Sequence, residues 1–126
     1  MDSFTRKILA IHEGLAERDL AHAFGGAIAL GFCILEPRAT HDIDLNVFVG
    51  TEQVAELVTA LPPHISTPVA KRNQLERGGQ ARLWWDDTAV DVFLSNHSFH
   101  DAAEARCRRV PFAGAELPVL ACEDLA

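Results

Sequence analysis

Apolar positions Phe4, Ile8, Leu9, Ile11 and Leu15 recur at near-helical spacing behind Asp2-Ser3, a plausible cap, and predict an amphipathic helix running to about Arg18. The stretch LAHAFGG reads as a short strand ending at Gly25-Gly26. From Ala27 to about Cys33 small and apolar residues suit a buried helix, which EPRAT breaks because Pro37 disfavours helix at Glu36. HDIDLNVFV then alternates with period two: Ile43, Leu45, Val47 and Val49 face one way, Asp42, Asp44, Asn46 and Phe48 the other. TEQVAELVTAL predicts a second amphipathic helix, with Thr51 and Glu52 in its first turn and Pro62-Pro63 ending it. Ile65 to Glu76 shows no decisive period. QARLWW and AVDVFL around DDT read as a hairpin without a turn glycine, and RRVPF and ELPVLA as further strands whose Pro111 and Pro118 suit sheet edges. Helices alternate with strands early and a meander follows, so the class is α/β to α+β.

The chain has 126 residues, 48% hydrophobic and 23% charged, which fits one globular domain with an ordinary core. No apolar run approaches the ~20 residues a bilayer requires, and MDSFTRKILAIHEG has acids and a histidine where a signal peptide continues its apolar segment, so the expectation is cytoplasmic. Cys33, Cys107 and Cys122 are an odd set without metal-type pairing, and read as reduced. Eleven basic against eighteen acidic residues give a net charge of −7, which argues against a broad grip on nucleic acid. Arg72, Arg77, Arg82, Arg106, Arg108 and Arg109 could still make a local basic site. The chain ends at ACEDLA as a helix begins, so a missing C-terminal segment and a frayed end both stay open.

Candidate chemistry starts at Asp42 and Asp44. Strand residues i and i+2 share a face about 7 Å apart. Carboxylates so close repel, and burying either as an anion costs several kcal/mol, of order, unless a cation is present. Mg²⁺ takes carboxylate oxygens and completes its shell with waters and substrate phosphates. Asp91 is a third acid in an otherwise apolar strand. If that strand pairs beside the first, Asp91 can join the others and hold a second metal, and two metals stabilise both attacking and leaving oxygens of a phosphoryl displacement. Alone, the Asp-x-Asp pair also reads as a solvent-facing side, and Asp86-Asp87 as turn chemistry. Gly25-Gly26 at a strand-to-helix junction reads as a tight turn or as an anion cradle.

In combination, Gly25-Gly26 opening a helix, RATHDIDL, and the single aspartate of VDVFL resemble the nucleotidyltransferase fold of the DNA polymerase beta superfamily. The wording GGAIALGF…RATHDIDL looks most like its bacterial branch of AbiEii-type toxins and small uncharacterised nucleotidyltransferases. The resemblance implies a mixed β-sheet flanked by helices. It makes Asp42, Asp44 and Asp91 the catalytic metal-binding triad, for Mg²⁺ with Mn²⁺ as substitute, and Asp91 a helper in activating the acceptor hydroxyl. Gly25 and Gly26 would hold the triphosphate, and Arg38 and Thr40, an Arg-x-Thr pair, would orient the loop or a phosphate. The implied reaction moves a nucleoside monophosphate from an NTP, such as ATP, to an acceptor with release of pyrophosphate. The acceptor could be tRNA, an aminoglycoside-like small molecule or a protein. The competing expectation is a nucleotide-binding or regulatory module of the same fold without turnover, for example half of a toxin-antitoxin pair. A plain structural domain leaves the three acids on apolar strands unexplained.

Overall fold

In the computed structural model, residues 3–25, 42–94 and 107–121 are described. Helix α1 (Ser3–Glu17) buries Ile8, Ile11 and Leu15, the stripe its sequence period foretold. Strand β1 (His22–Phe24) is short, and β2 (Asp42–Val47) alternates buried Ile43, Leu45 and Val47 with more open Asp42, Asp44 and Asn46. The second helix starts as a 3₁₀ turn at Thr51–Gln53 and continues as α2 (Val54–Ala60), burying Val54, Leu57 and Ala60.

The ambiguous stretch contains a third helix, α3 (Val69–Gly78), whose one buried residue is Leu75. A helix polar almost all round carries no apolar stripe for a period to reveal. Its C-terminus is closed by Gly79 at φ 73°, whose N–H donates to the Leu75 carbonyl.

Strands β3 (Gln80–Trp85) and β4 (Thr88–Leu94) form the expected hairpin. Asp86 supplies the left-handed turn conformation, φ 54°, that glycine usually provides; a short polar side chain tolerates it. Strands β5 (Arg108–Phe112) and β6 (Ala115–Val119) form a second antiparallel hairpin.

The sheet has six strands in the order β3-β4-β2-β1-β6-β5. β2 runs parallel to β4 and antiparallel to β1, and β6 runs parallel to β1. One expectation is corrected: β5 is an edge strand, but β6 lies inside the sheet. The Leu120 N–H donates to the Phe24 carbonyl, so by strand alternation the Pro118 nitrogen faces β1 as well. The β1–β6 ladder there is one register pair, Phe24 with Val119, and demands no donor from Pro118. The predicted helix from Ala27 and the element at Glu123 lie outside the described residues. Among the described residues no helix is long and apolar enough to cross a membrane.

Two polar contacts tie α1 to the sheet. Lys7 is 7% exposed. Its Nζ donates to Thr88 Oγ1 at 2.8 Å and to the Trp85 carbonyl at 3.3 Å, so it pins the β3–β4 turn to the helix. On the same helix, His12 meets His22 of β1, Nδ1 to Nε2 at 2.8 Å, and His22 Nδ1 lies 2.8 Å from the Leu20 carbonyl. A carbonyl only accepts, so the hydrogen-bond network assigns the proton of neutral His22 to Nδ1, leaving Nε2 to accept from His12. Burial pushes the His22 pKa down to about 4; the Leu20 carbonyl opposes this, and His12 and Arg109 add to it.

Lys7→Ala removes the cation and leaves the Thr88 hydroxyl and Trp85 carbonyl without their donor, which should lower stability by about 1–3 kcal/mol in urea unfolding. For His22, the unfolded chain takes up a proton below pH 6.5 that the folded protein refuses until about pH 4. Stability should therefore be intact above pH 6.5 and fall towards pH 4, by about 3 kcal/mol from this group. A His22→Gln variant should show a flatter pH profile between those limits; equal profiles would refute the assignment.

Candidate active site

The polar face of the sheet is a grid set by register. Asp44 of β2 lies opposite Asp91 of β4, and Asp91 opposite Arg82 of β3. One step along the strands, Asp42 lies opposite Ala89, and Ala89 opposite Trp84. Neighbouring strands are about 4.8 Å apart, so the row Arg82, Asp91, Asp44 is three adjacent side chains on one face. The opposite face of β2 and β4 is packed with Ile43, Leu45, Val47, Val90, Val92 and Leu94, all in one core cluster. That anchoring gives the acids a rigid base.

Arg82 grips Asp91 with a two-pronged fork: Nε to Oδ1 at 2.7 Å and Nη2 to Oδ2 at 2.9 Å. Its Nη2 also stands 3.7 Å from Asp42 Oδ2, and the guanidinium carbon lies 5.9 Å from the Trp84 ring centre. Asp44 is half-buried. Burial raises its pKa above the usual carboxylate range, Asp91 and Asp42 push it further up, and Arg82 partly opposes them. A hydrogen bond with Asp91 adds to the rise, and needs a proton on one of the two acids. The Arg82 pKa is raised in turn, first by its hydrogen bond to Asp91.

The structure thus brings Asp42, Asp44 and Asp91 together. Gly25 stands beside them: its N–H donates to the Asp44 carbonyl at 2.9 Å, so this amide holds β1 against β2. A Cβ on Gly25 would come within 2.9 Å of Asn46 Nδ2 and 3.0 Å of Leu120 Cδ1, so a side chain there would displace the ends of those two side chains. Gly26, Arg38 and Thr40 lie outside the described residues. Asp86 and Asp87 form the β3–β4 turn, away from the acid row. Trp85 is half-buried against the core and stacks on His64 at 5.1 Å, whereas Trp84 is 43% exposed on the acid face.

Arg82 is the site residue the sequence did not single out. Its signal was the alternation of QARLWW, which puts Arg82 and Trp84 on one face, but only the pairing with β4 aims that face at Asp91. Among the described residues no three His, Cys, Asp or Glu side chains are already gathered as a metal cage. The donor chemistry nonetheless suits a hard divalent cation. Three carboxylates share one face, one with its ionisation opposed by the other two, and the Arg82 guanidinium stands against Asp91 and Asp42.

No family model matches the chain, and no curated protein matches it. Solved structures do. The solution structure of the antibiotic-resistance factor ANT(2'')-Ia has a TM-score of 0.68 to this chain at 17% identity, covering 96% of this chain and 66% of that one. The crystal structure of ANT(2'')-Ia in complex with adenylyl-2''-tobramycin has a TM-score of 0.70 at 17% identity, covering 98% and 72%. This chain therefore spans about two thirds of the length of the chain in that solution structure, 66%. At that identity the likeness concerns architecture: the mixed six-stranded sheet with its helices is a nucleotidyltransferase-like α+β fold.

Proposed function

We propose that this protein is a divalent-metal-dependent nucleotidyltransferase that moves a nucleoside monophosphate from an NTP to a hydroxyl of a small polycationic acceptor. The observation that carries the reading is the register of β2 with β4, which sets Asp44 against Asp91 with Asp42 two residues away on the same face. Like charges are held together there by the fold, at a cost in repulsion that a bound Mg²⁺ would relieve.

In this reading Asp42, Asp44 and Asp91 hold the cation, which when bound supplies charge stabilisation on the phosphates. Asp91 accepts the proton of the acceptor hydroxyl. The hydroxyl oxygen then bonds to the α-phosphorus, the bond to the β-phosphate oxygen breaks, and pyrophosphate leaves with the electron pair. The rigid strand pair contributes positioning, because all three acids project from backbone fixed by the buried residues on its other face. Gly25 keeps β1 close beside Asp44, and Gly26, Arg38 and Thr40 serve the triphosphate.

Two facts favour a small polycation over tRNA as acceptor. The net charge is −7, and ANT(2'')-Ia, whose fold is similar, is found with adenylyl-2''-tobramycin. Arg82 faces the acids on β3 at one edge of the sheet, while Arg108 and Arg109 are on β5 at the other.

With Mg²⁺, each labelled NTP, and aminoglycosides, total tRNA or no acceptor, the protein should release pyrophosphate and transfer label to an aminoglycoside. Asp42→Asn, Asp44→Asn and Asp91→Asn should each lower transfer by on the order of a thousandfold. No transfer to any acceptor, together with unchanged NTP binding in Asp42→Ala and Asp44→Ala, would sink the proposal. A second outcome follows from the crowding of charge. In EDTA, Asp44→Asn should be more stable than the native sequence by about 0.5–2 kcal/mol in urea unfolding, because it relieves a repulsion kept for function.

A further inference from the structure

We infer that Arg82 is a positioning residue for the carboxylate site: its guanidinium takes the cation's place on Asp91 in the metal-free protein and is displaced from Asp91 when a divalent cation enters. The inference rests on the metal-dependent reading of the site above.

Both Asp91 oxygens are engaged, at 2.7 and 2.9 Å, by one guanidinium. Charge-assisted forks of this kind fix a carboxylate's orientation as well as its charge. A divalent cation that binds Asp91 needs a lone pair on at least one of those oxygens, and its charge repels the guanidinium that engages both, which favours release of the fork. The Arg82 side chain is 49% exposed and the Asp91 side chain 19%, so the guanidinium is the partner with room to move. It also has a surface to move along. Trp84 lies on the same face of the same strand, 43% exposed, with the guanidinium already 5.9 Å from its ring centre, where a cation is attracted to the aromatic face.

Arg82 thereby occupies Asp91 before metal arrives, and competes with the metal for it. A purely structural arginine and a competing one predict opposite effects of its removal. Removing a structural prop loosens the acids and weakens metal binding. Removing a competitor leaves the site one positive charge poorer and tightens it.

The test is the affinity of the full chain for Mn²⁺ alone, read from the electron paramagnetic resonance signal of the free ion. It compares the native sequence, Arg82→Gln, Arg82→Lys and Asp44→Asn, each with its circular dichroism spectrum. Arg82→Gln should bind Mn²⁺ tighter by on the order of tenfold. Arg82→Lys, which keeps the charge and loses the fork, should fall between it and the native protein, and carries the test alone if Arg82→Gln does not fold. Equal or weaker binding in folded Arg82 variants overturns the role of Arg82 while Mn²⁺ binding lost in Asp44→Asn keeps the metal site. No Asp44-dependent binding in any of these proteins overturns the metal site itself, and the inference with it.

Discussion

The structure depends on the parallel pairing of β2 with β4. Six register pairs, from Asp42 with Ala89 to Val47 with Leu94, join two strands far apart in the chain, and three of them, Ile43 with Val90, Leu45 with Val92 and Val47 with Leu94, stack apolar side chains on one face. Because side chains alternate, the same register has to stack what lies on the other face. It places Asp44 against Asp91, an arrangement that hydrophobic burial enforces and that electrostatics alone would disperse. The raised pKa of Asp44 and the fork of Arg82 on Asp91 are the two responses to that conflict: ionisation of one acid is disfavoured, and another takes a guanidinium.

The surrounding elements hold this pair in place. α1 contributes Ile8, Ile11 and Leu15 to the core that backs the strands, and Lys7 ties the β3–β4 turn to it. β3 completes the row from one side with Arg82, and β1 flanks it from the other through the Gly25 N–H on the Asp44 carbonyl. The nucleotidyl transfer proposed for this face would need rigidity more than a deep cavity, since phosphoryl transfer is mostly a matter of orientation and charge.

Much of this was legible in the sequence where a face is half-buried. The period-two pattern of DIDLNV located β2 and its two faces, and the apolar neighbours of Asp91 located β4. Legibility failed where tertiary pairing decides. α3 carries no apolar stripe to reveal it because only Leu75 is buried, and Pro118 points to an edge for β6 although its nitrogen faces a β1 ladder of one register pair. Arg82 was one of several arginines in the second half. Its partner is nine residues away around a turn, and its meaning comes from β2, which reaches Asp91 from the far side.

The central claim is that Asp42, Asp44 and Asp91 serve one divalent cation. Crystals grown with Mn²⁺ and a non-hydrolysable ATP analogue would test it most directly through the anomalous scattering of manganese. The account predicts a peak bonded to carboxylate oxygens of those three residues, with the triphosphate completing its shell and the Arg82 guanidinium turned away from Asp91. A nucleotide bound with manganese elsewhere, or no manganese beside these acids, would contradict it.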